Sequence, residues 1–425
     1  MIIEFTVKNY RSICDEQVFS LVSNNKDKKG LNSFEVDSLG VPSLLNSAAI
    51  YGANAAGKSN LIKAIKTMKS VVLDSAGVTQ RGDKIDTTPF LLDEETRQAP
   101  SEFEAIFVSN NVKYQYGFAV TKERVHAEWL LAFPNGRPQR WFDRYYDSEK
   151  DQEYWEFGGS LLGKKTLWRD STKSNSLFLS TAVQLNSEQL QPVYDWFKST
   201  LRIAGIGGWE PSYSMQLCEE EESRKKVLSF LKAADLDICD VKVKKEKFDI
   251  ASVPDTVPES IKSEILQEFE GKELLDVKTV HTSKSGEKVL FDFDDESDGT
   301  RKLFSFAGPW LDSLEDGNVL FIDELHDSLH PKMVKFLVDL FHNKQSNLKN
   351  AQLVFTTHET SILDQNIFGR DQIWFCEKDK NKSTSIYPLS DFSVRKGSEN
   401  LEKSYLSGRY GALPYITLPK IYEVD

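Results

Sequence analysis

The densest chemistry in this sequence is the run Gly52-Ala53-Asn54-Ala55-Ala56-Gly57-Lys58-Ser59. Gly52 and Gly57 let the backbone curl so that successive N–H groups converge on phosphate oxygens. Lys58 adds a positive point charge suited to a β/γ-phosphate pair, and Ser59 offers a hydroxyl to Mg²⁺. Asn54 and Asn60 complete the candidate phosphate-binding set. A glycine turn arising by chance would lack the flanking strand and helix that this chemistry requires.

Three further clusters supply what a phosphate loop lacks. Val319-Leu320-Phe321-Ile322 ends in Asp323-Glu324. Four apolar residues bury a strand and deliver two carboxylates at its C-terminal end, where ligands sit in open α/β sheets. Asp323 suits the Mg²⁺ shell, and Glu324 suits orienting and deprotonating a water. A strand ending in Asp-Glu can also be purely structural; the phosphate loop argues for function. Ser297-Asp298-Gly299-Thr300 opens an apolar helix. Ser297 reads as an N-cap, and the same Ser297 and Gly299 can present a hydroxyl and N–H groups to a γ-phosphate. Thr356-Thr357-His358 follows the apolar strand 352–355, which places His358 within reach of a γ-phosphate or attacking water. A lone histidine after a strand is otherwise a surface residue. Asp327 and His330 in between read as a cap and a structural residue, with Pro331 at the first position of a helix.

These residues need a scaffold, and the sequence patterns one. Residues 2–7 and 48–51 are β-prone, and Leu61, Ile62, Ile65, Met68 and Val72 fall at helical spacing, so 48–73 reads strand–loop–helix. Residues 318–322, 352–356 and 372–376 read as buried strands and 333–341 as a helix. That alternation argues for a mainly parallel sheet flanked by helices. Runs at 103–108, 114–118 and 128–133, with Asn110-Asn111 as a hairpin signal, predict a small antiparallel β lobe. Residues 187–200 and 219–234 read as helices, 242–247 as a strand with one solvated face, and 255–259 as a proline-bearing loop. The expected fold is therefore α/β, with an inserted, mostly helical region. Its divisions are 1–135 (phosphate loop and β lobe), 136–285 (the insertion), 286–395 (Ser297, Asp323-Glu324, His358) and a tail, 396–425.

Taken together, the four motifs in this order resemble an ATP-binding-cassette ATPase head. The wording "FTVKNYRSI", "YGANAAGKSNL", "FIDELHDSLHP" and "TTHE" is similar to bacterial AAA-type ATP-binding proteins with SMC-like heads. The tail "YLSGRYGALP" resembles the RloA/AbiL members of restriction and abortive-infection loci, with the PARIS ATPase related. The resemblance implies ATP and Mg²⁺ as ligands, with Lys58, Glu324 and His358 catalytic. It implies a head-to-tail dimer, or a higher homo-oligomer, in which the partner supplies Ser297 and Gly299. Asp327 would sit near the seam, and Arg11 would touch nucleotide. Two departures stand out: Ala55 where many such loops have glycine, and no convincing Q-loop glutamine, 86–92 being the place to look. The implied role is a conformational switch in antiviral defence that gates a separate effector, often a TOPRIM-like nuclease. The stretch after His358 is shorter than the ~100 residues of an ordinary domain and carries no nuclease pattern.

Composition narrows the alternatives. The 425 residues carry 53 Lys+Arg against 65 Asp+Glu, a net charge of −12, so nucleic acid is at most a local partner. Mean hydropathy is −0.43, and no apolar run nears the ~18 residues that span a bilayer. The start lacks a secretory layout and the four cysteines are scattered, so the expected setting is cytoplasmic, with no structural zinc. An SMC-type DNA-maintenance ATPase would need coiled-coil arms or a basic face, and neither is patterned here. A scaffold using ATP without turnover is the remaining rival. A small-molecule kinase would leave Ser297 and His358 without a task.

Overall fold

The computed structural model describes residues 1–24, 32–205, 208–247, 258, 261–262, 273–394 and 399–414. They fall into two compact units: Met1–Gly207 with Ser313–Asp327 and Val334–Asp425, and Gly208–Asp312 with Ser328–Met333. In the first unit, β1 (Ile2–Lys8), β2 (Gln17–Ser20), the ribbon β3 (Ser33–Phe34) and β4 (Leu44–Leu45), and β5 (Ser47–Gly52) precede helix α1 (Lys58–Asp74). Five strands follow: β6 (Ser101–Ser109), β7 (Val112–Val120), β8 (Val125–Phe133), β9 (Gln139–Asp147) and β10 (Gln152–Phe157). After β11 (Leu201–Ala204), the unit resumes with β15 (Val319–Ile322), β16 (Gln352–Thr356), β17 (Ile373–Lys378) and β18 (Thr384–Pro388).

The central sheet has the order β11-β15-β16-β5-β17-β18, parallel throughout except for β18. Every residue of β5, β15 and β16 is buried, as the unbroken apolar runs predict for a sheet covered on both faces. On one face, Ala48, Ile50, Val319, Phe321 and Val354 share a core with Leu61, Ile65, Met68 and Val72 of α1. On the other, the helix Pro331–His342 buries Val334, Leu337, Val338 and Phe341, and its His342 Nε2 lies 2.7 Å from Ser47 Oγ. Helix, sheet and helix thus stack as expected.

The antiparallel lobe is a seven-stranded sheet ordered β10-β9-β8-β7-β6-β1-β2. Burial alternates along β6, and Asn110 and Asn111 both take positive φ (48° and 60°) in the β6–β7 hairpin. The buried Gln352 couples the two sheets: its Oε1 accepts from Ile2 N (2.7 Å), and its Nε2 donates to Ile2 O and Leu45 O (3.1 Å each).

The region 136–285 departs from the mostly helical expectation. Its helices include Phe178–Gln184 and Glu221–Ala233, but β9 and β10 extend the antiparallel lobe beyond residue 135. The reason is a charge in the core: Arg144 of β9 is 1% exposed and pairs with the buried Glu128 at 3.6 Å, which breaks the apolar alternation. Glu128 also accepts from Phe178 N and Leu179 N, pinning the start of that helix. Of the helix expected over 187–200, the structure forms Gln191–Asp195 and a final π turn, Trp196–Thr200, with 188–190 in a turn before it.

In the second unit, β12 (Asp240–Lys247), β13 (Glu273–Thr282) and β14 (Lys288–Asp292) form an antiparallel sheet. The strand expected at 242–247 is thus present, with Val241 buried. The helix Asp298–Asp316 begins in this unit. Residues 255–257 and 259 of the expected proline-bearing loop lie outside the described residues. Among the described residues, no helix is long and apolar enough to cross a membrane.

Candidate active site

The site is built where β5, β16 and β15 end on one edge of the parallel sheet. β5 runs straight into the phosphate loop, and a Cβ on Gly52 would overlap the Cys376 carbonyl of neighbouring β17. Gly57 has φ 114°, and a Cβ there would overlap the Thr384 side chain. Only glycine fits that position, on space and on conformation alike. Ala55, where many such loops have glycine, takes a left-handed φ of 62° at a cost of about 1 kcal/mol in local strain.

A hydroxyl chain braces the loop from below. Asn60 Nδ2 donates to Ser12 Oγ (2.7 Å), which lies 2.8 Å from Thr384 Oγ1, and Thr384 Oγ1 donates to Ala56 O (2.9 Å). The Thr384 proton is committed to Ala56, so Ser12 donates to Thr384. Sequence reasoning missed Ser12 and Thr384, because they lie far from the loop along the chain.

Lys58 opens α1 and is 5% exposed. Its Nζ donates to Gly52 O (2.8 Å) and Ala53 O (3.1 Å), and lies 3.1 Å from His358 Nε2. Burial lowers its proton affinity, while Cys376, Glu324 and Asp323 oppose that effect. His358 is pushed down to about 4 by burial and by the Lys58 charge, so its ring is neutral at pH 7 and Nε2 accepts from Lys58.

Asp323 is 3% exposed, and its Oδ1 accepts from Thr356 Oγ1 at 2.6 Å. The same Thr356 oxygen accepts from Glu324 N at 2.8 Å. Glu324 has φ 57°, a left-handed turn that directs it away from the strand line. Thr356 therefore aims both carboxylate residues, a role hidden within the "TTH" run. His326 is a further addition, its ring edge-on to His358 with centroids 5.6 Å apart.

One cavity of about 380 Å³ gathers Asn54, Ala55, Ala56, Gly57, Lys58, Ser59, Asn60, Glu324, His358 and Lys378. Among these, Lys378 was not anticipated. Arg11 lies elsewhere: its Nε donates to Tyr10 OH (3.0 Å), and it lines a separate cavity of about 430 Å³ with Lys63, Lys66, Lys84 and Asp86. Residues 86–92 contain no glutamine and pack against this turn, with Arg11 N donating to Thr88 O and Phe90 N to Asn9 Oδ1 (2.9 Å each).

In the second unit, Ser297 is exposed and caps its helix: Oγ accepts from Thr300 N at 3.2 Å. Gly299 sits in that first helical turn. His330 has the structural role expected of it, its Nδ1 accepting from Lys332 N at 3.2 Å.

A family model described as "AAA domain, putative AbiEii toxin, Type IV TA system" matches residues 47–364. No curated protein matches the sequence. Among solved structures, the SMC head domain from Thermotoga maritima is similar over 92% of this chain and 99% of its own, at 12% identity and a TM-score of 0.40. A Smc head bound to the C-winged helix domain of ScpA is similar over 93% of this chain and 98% of its own, at 13% identity and a TM-score of 0.43.

Proposed function

This chain belongs to the AAA-domain family just described, and from that premise we propose that it is an ATP-hydrolysing conformational switch in antiviral defence, gating a separate toxic effector. The observation that carries the ATPase reading is the convergence of Lys58, Ser59, Glu324 and His358 on one cavity beside the buried Asp323.

The residues fit Mg·ATP. The loop's shape depends on a Gly57 that tolerates no side chain, and the helix N-terminus behind it favours anions. Ser59 and Asp323 would hold Mg²⁺, which supplies neutralisation of the charge developing on the β- and γ-oxygens. Lys58 exchanges its loop carbonyls and His358 for phosphate oxygens. Glu324 takes the proton of the attacking water. His358, freed from Lys58, carries a proton on Nε2 and donates it in a hydrogen bond to a γ-phosphate oxygen.

The family's description as a putative toxin of a toxin–antitoxin system supports the defence setting, as does the tail's resemblance to restriction-linked members. The exposed Ser297 supports a head-to-tail dimer in which it reaches the partner's γ-phosphate. The net charge of −12 favours a protein effector, of the TOPRIM-like nuclease class, over DNA as the working partner.

Turnover of the wild type against Lys58→Ala and Glu324→Gln tests this reading. We expect Mg²⁺-dependent phosphate release that falls at least ~100-fold in both variants, with ATP binding kept only in Glu324→Gln. Wild-type turnover equal to that of Glu324→Gln would leave the scaffold reading in its place.

A further inference from the structure

Residues 399–414, which include the tail motif Tyr405–Pro414, have no part in the chemistry above, yet they are bound to the segment that carries His358. Thr360 Oγ1 donates to Glu402 Oε1 at 2.7 Å, and Gln365 Nε2 donates to Glu399 O at 2.8 Å. Tyr51, the residue before Gly52, donates its hydroxyl to Glu359 O at 3.2 Å. The Tyr51 ring meets Tyr405 edge-on at 5.9 Å, and Tyr405 stacks on Phe375 of β17 at 5.4 Å.

The tail is itself a built element. Asn400 caps the helix Leu401–Leu406 through Lys403 N. Tyr405 OH donates to Ala412 O (3.1 Å), and Tyr410 OH donates to Glu399 Oε1 (2.6 Å). Gly411 has φ 68°, and a Cβ there would press on Glu377 and Tyr387. The ties from Tyr51, Glu402 and Glu399 reach Glu359, Thr360 and Gln365, the stretch directly after His358. By contrast, β16 is already held by strands on both sides and needs none of them.

We propose that Glu402, Tyr51 and Tyr405 are positioning residues for His358, so that the tail sets the orientation of the histidine that meets the γ-phosphate. The inference rests on the ATPase reading above. A change at the γ-phosphate and a change at residues 399–414 are then coupled through a segment that both hold.

The test compares Glu402→Ala, Glu402→Gln and Thr360→Val, each alone and with His358→Ala, in the full chain with Mg·ATP. Glu402→Ala and Thr360→Val are expected to lower kcat about five-fold, the worth of one lost hydrogen bond. ATP affinity should stay within about two-fold, because the phosphate loop is untouched. Glu402→Gln keeps an acceptor for Thr360 and should restore kcat. With His358→Ala present, Glu402→Ala should cost nothing more. An unchanged kcat in Glu402→Ala, or an equal fall on the His358→Ala background, would overturn the proposal. If the wild type shows no turnover, the ATPase reading falls instead, and amide exchange decides the inference separately. Faster exchange at residues 359–361 in Glu402→Ala supports the tie, and unchanged exchange overturns it.

Discussion

Lys58 and His358 hold each other, Nζ 3.1 Å from Nε2. A buried ammonium with two carbonyls and a neutral imidazole has all three donors used, so on the proposed reading a phosphate oxygen would displace one of these partners. That exchange predicts a titration. In nucleotide-free protein, the His358 ring resonances should move near pH 4, where burial and the Lys58 charge place it. A non-hydrolysable Mg·ATP analogue should move that titration upward, since it brings anionic oxygens and takes Lys58 away. No shift on addition of the analogue would place His358 away from the phosphates. Stability follows with a definite sign. His342 is pushed down to about 3 and His358 to about 4, chiefly by burial. Between those values and the unfolded value near 6.5, the unfolded chain binds more protons. The melting temperature should therefore hold above pH 6.5 and fall as pH drops from there toward 4. A flat profile over that window would contradict the burial of both rings.

At the scale of elements, the phosphate loop depends on parts distant in sequence. Thr384 of β18 and Ser12 after β1 brace Ala56 and Asn60, and position 57 takes only glycine because Thr384 fills the space that a side chain would need. Gly57→Ala brings both strain at φ 114° and overlap, so it should cost more than about 1 kcal/mol and abolish nucleotide binding. Calorimetric titration with Mg·ATP and a thermal melt check both; unchanged affinity would mean that the loop reshapes without cost. The loop itself was legible in the sequence because its requirements are local: glycines, a lysine and a hydroxyl at set spacing. Its braces were not legible, since only pairing of β17 with β5 and of β17 with β18 brings Thr384 beneath Ala56. β9 was missed for a related reason. Arg144 reads as a surface residue until Glu128 of β8 is seen opposite it.

At the scale of the whole molecule, the exposed Ser297 and the cavity at Lys58 predict function through assembly. In light scattering, Glu324→Gln should gain mass with Mg·ATP, while Lys58→Ala should not. In the proposed head-to-tail dimer, mixing Lys58→Ala with Ser297→Arg would give heterodimers in which one composite site is intact. Such a mixture should recover about a quarter of wild-type turnover by random pairing; no recovery would place Ser297 outside the partner's site. The sequence by itself determined the phosphate loop, the Asp323-Glu324 strand, the parallel sheet and the cap at Ser297. Each follows from residue type and short-range spacing, where backbone geometry and hydrophobic periodicity act directly. Tertiary structure alone decided that Thr356 aims Asp323 and Glu324, that Lys58 rests on His358, that Arg11 faces a different cavity, and that residues 399–414 grip the His358 segment. Those contacts join residues separated by tens to hundreds of positions. Their formation depends on strand order and on which buried polar groups find partners, and neither is written in local pattern.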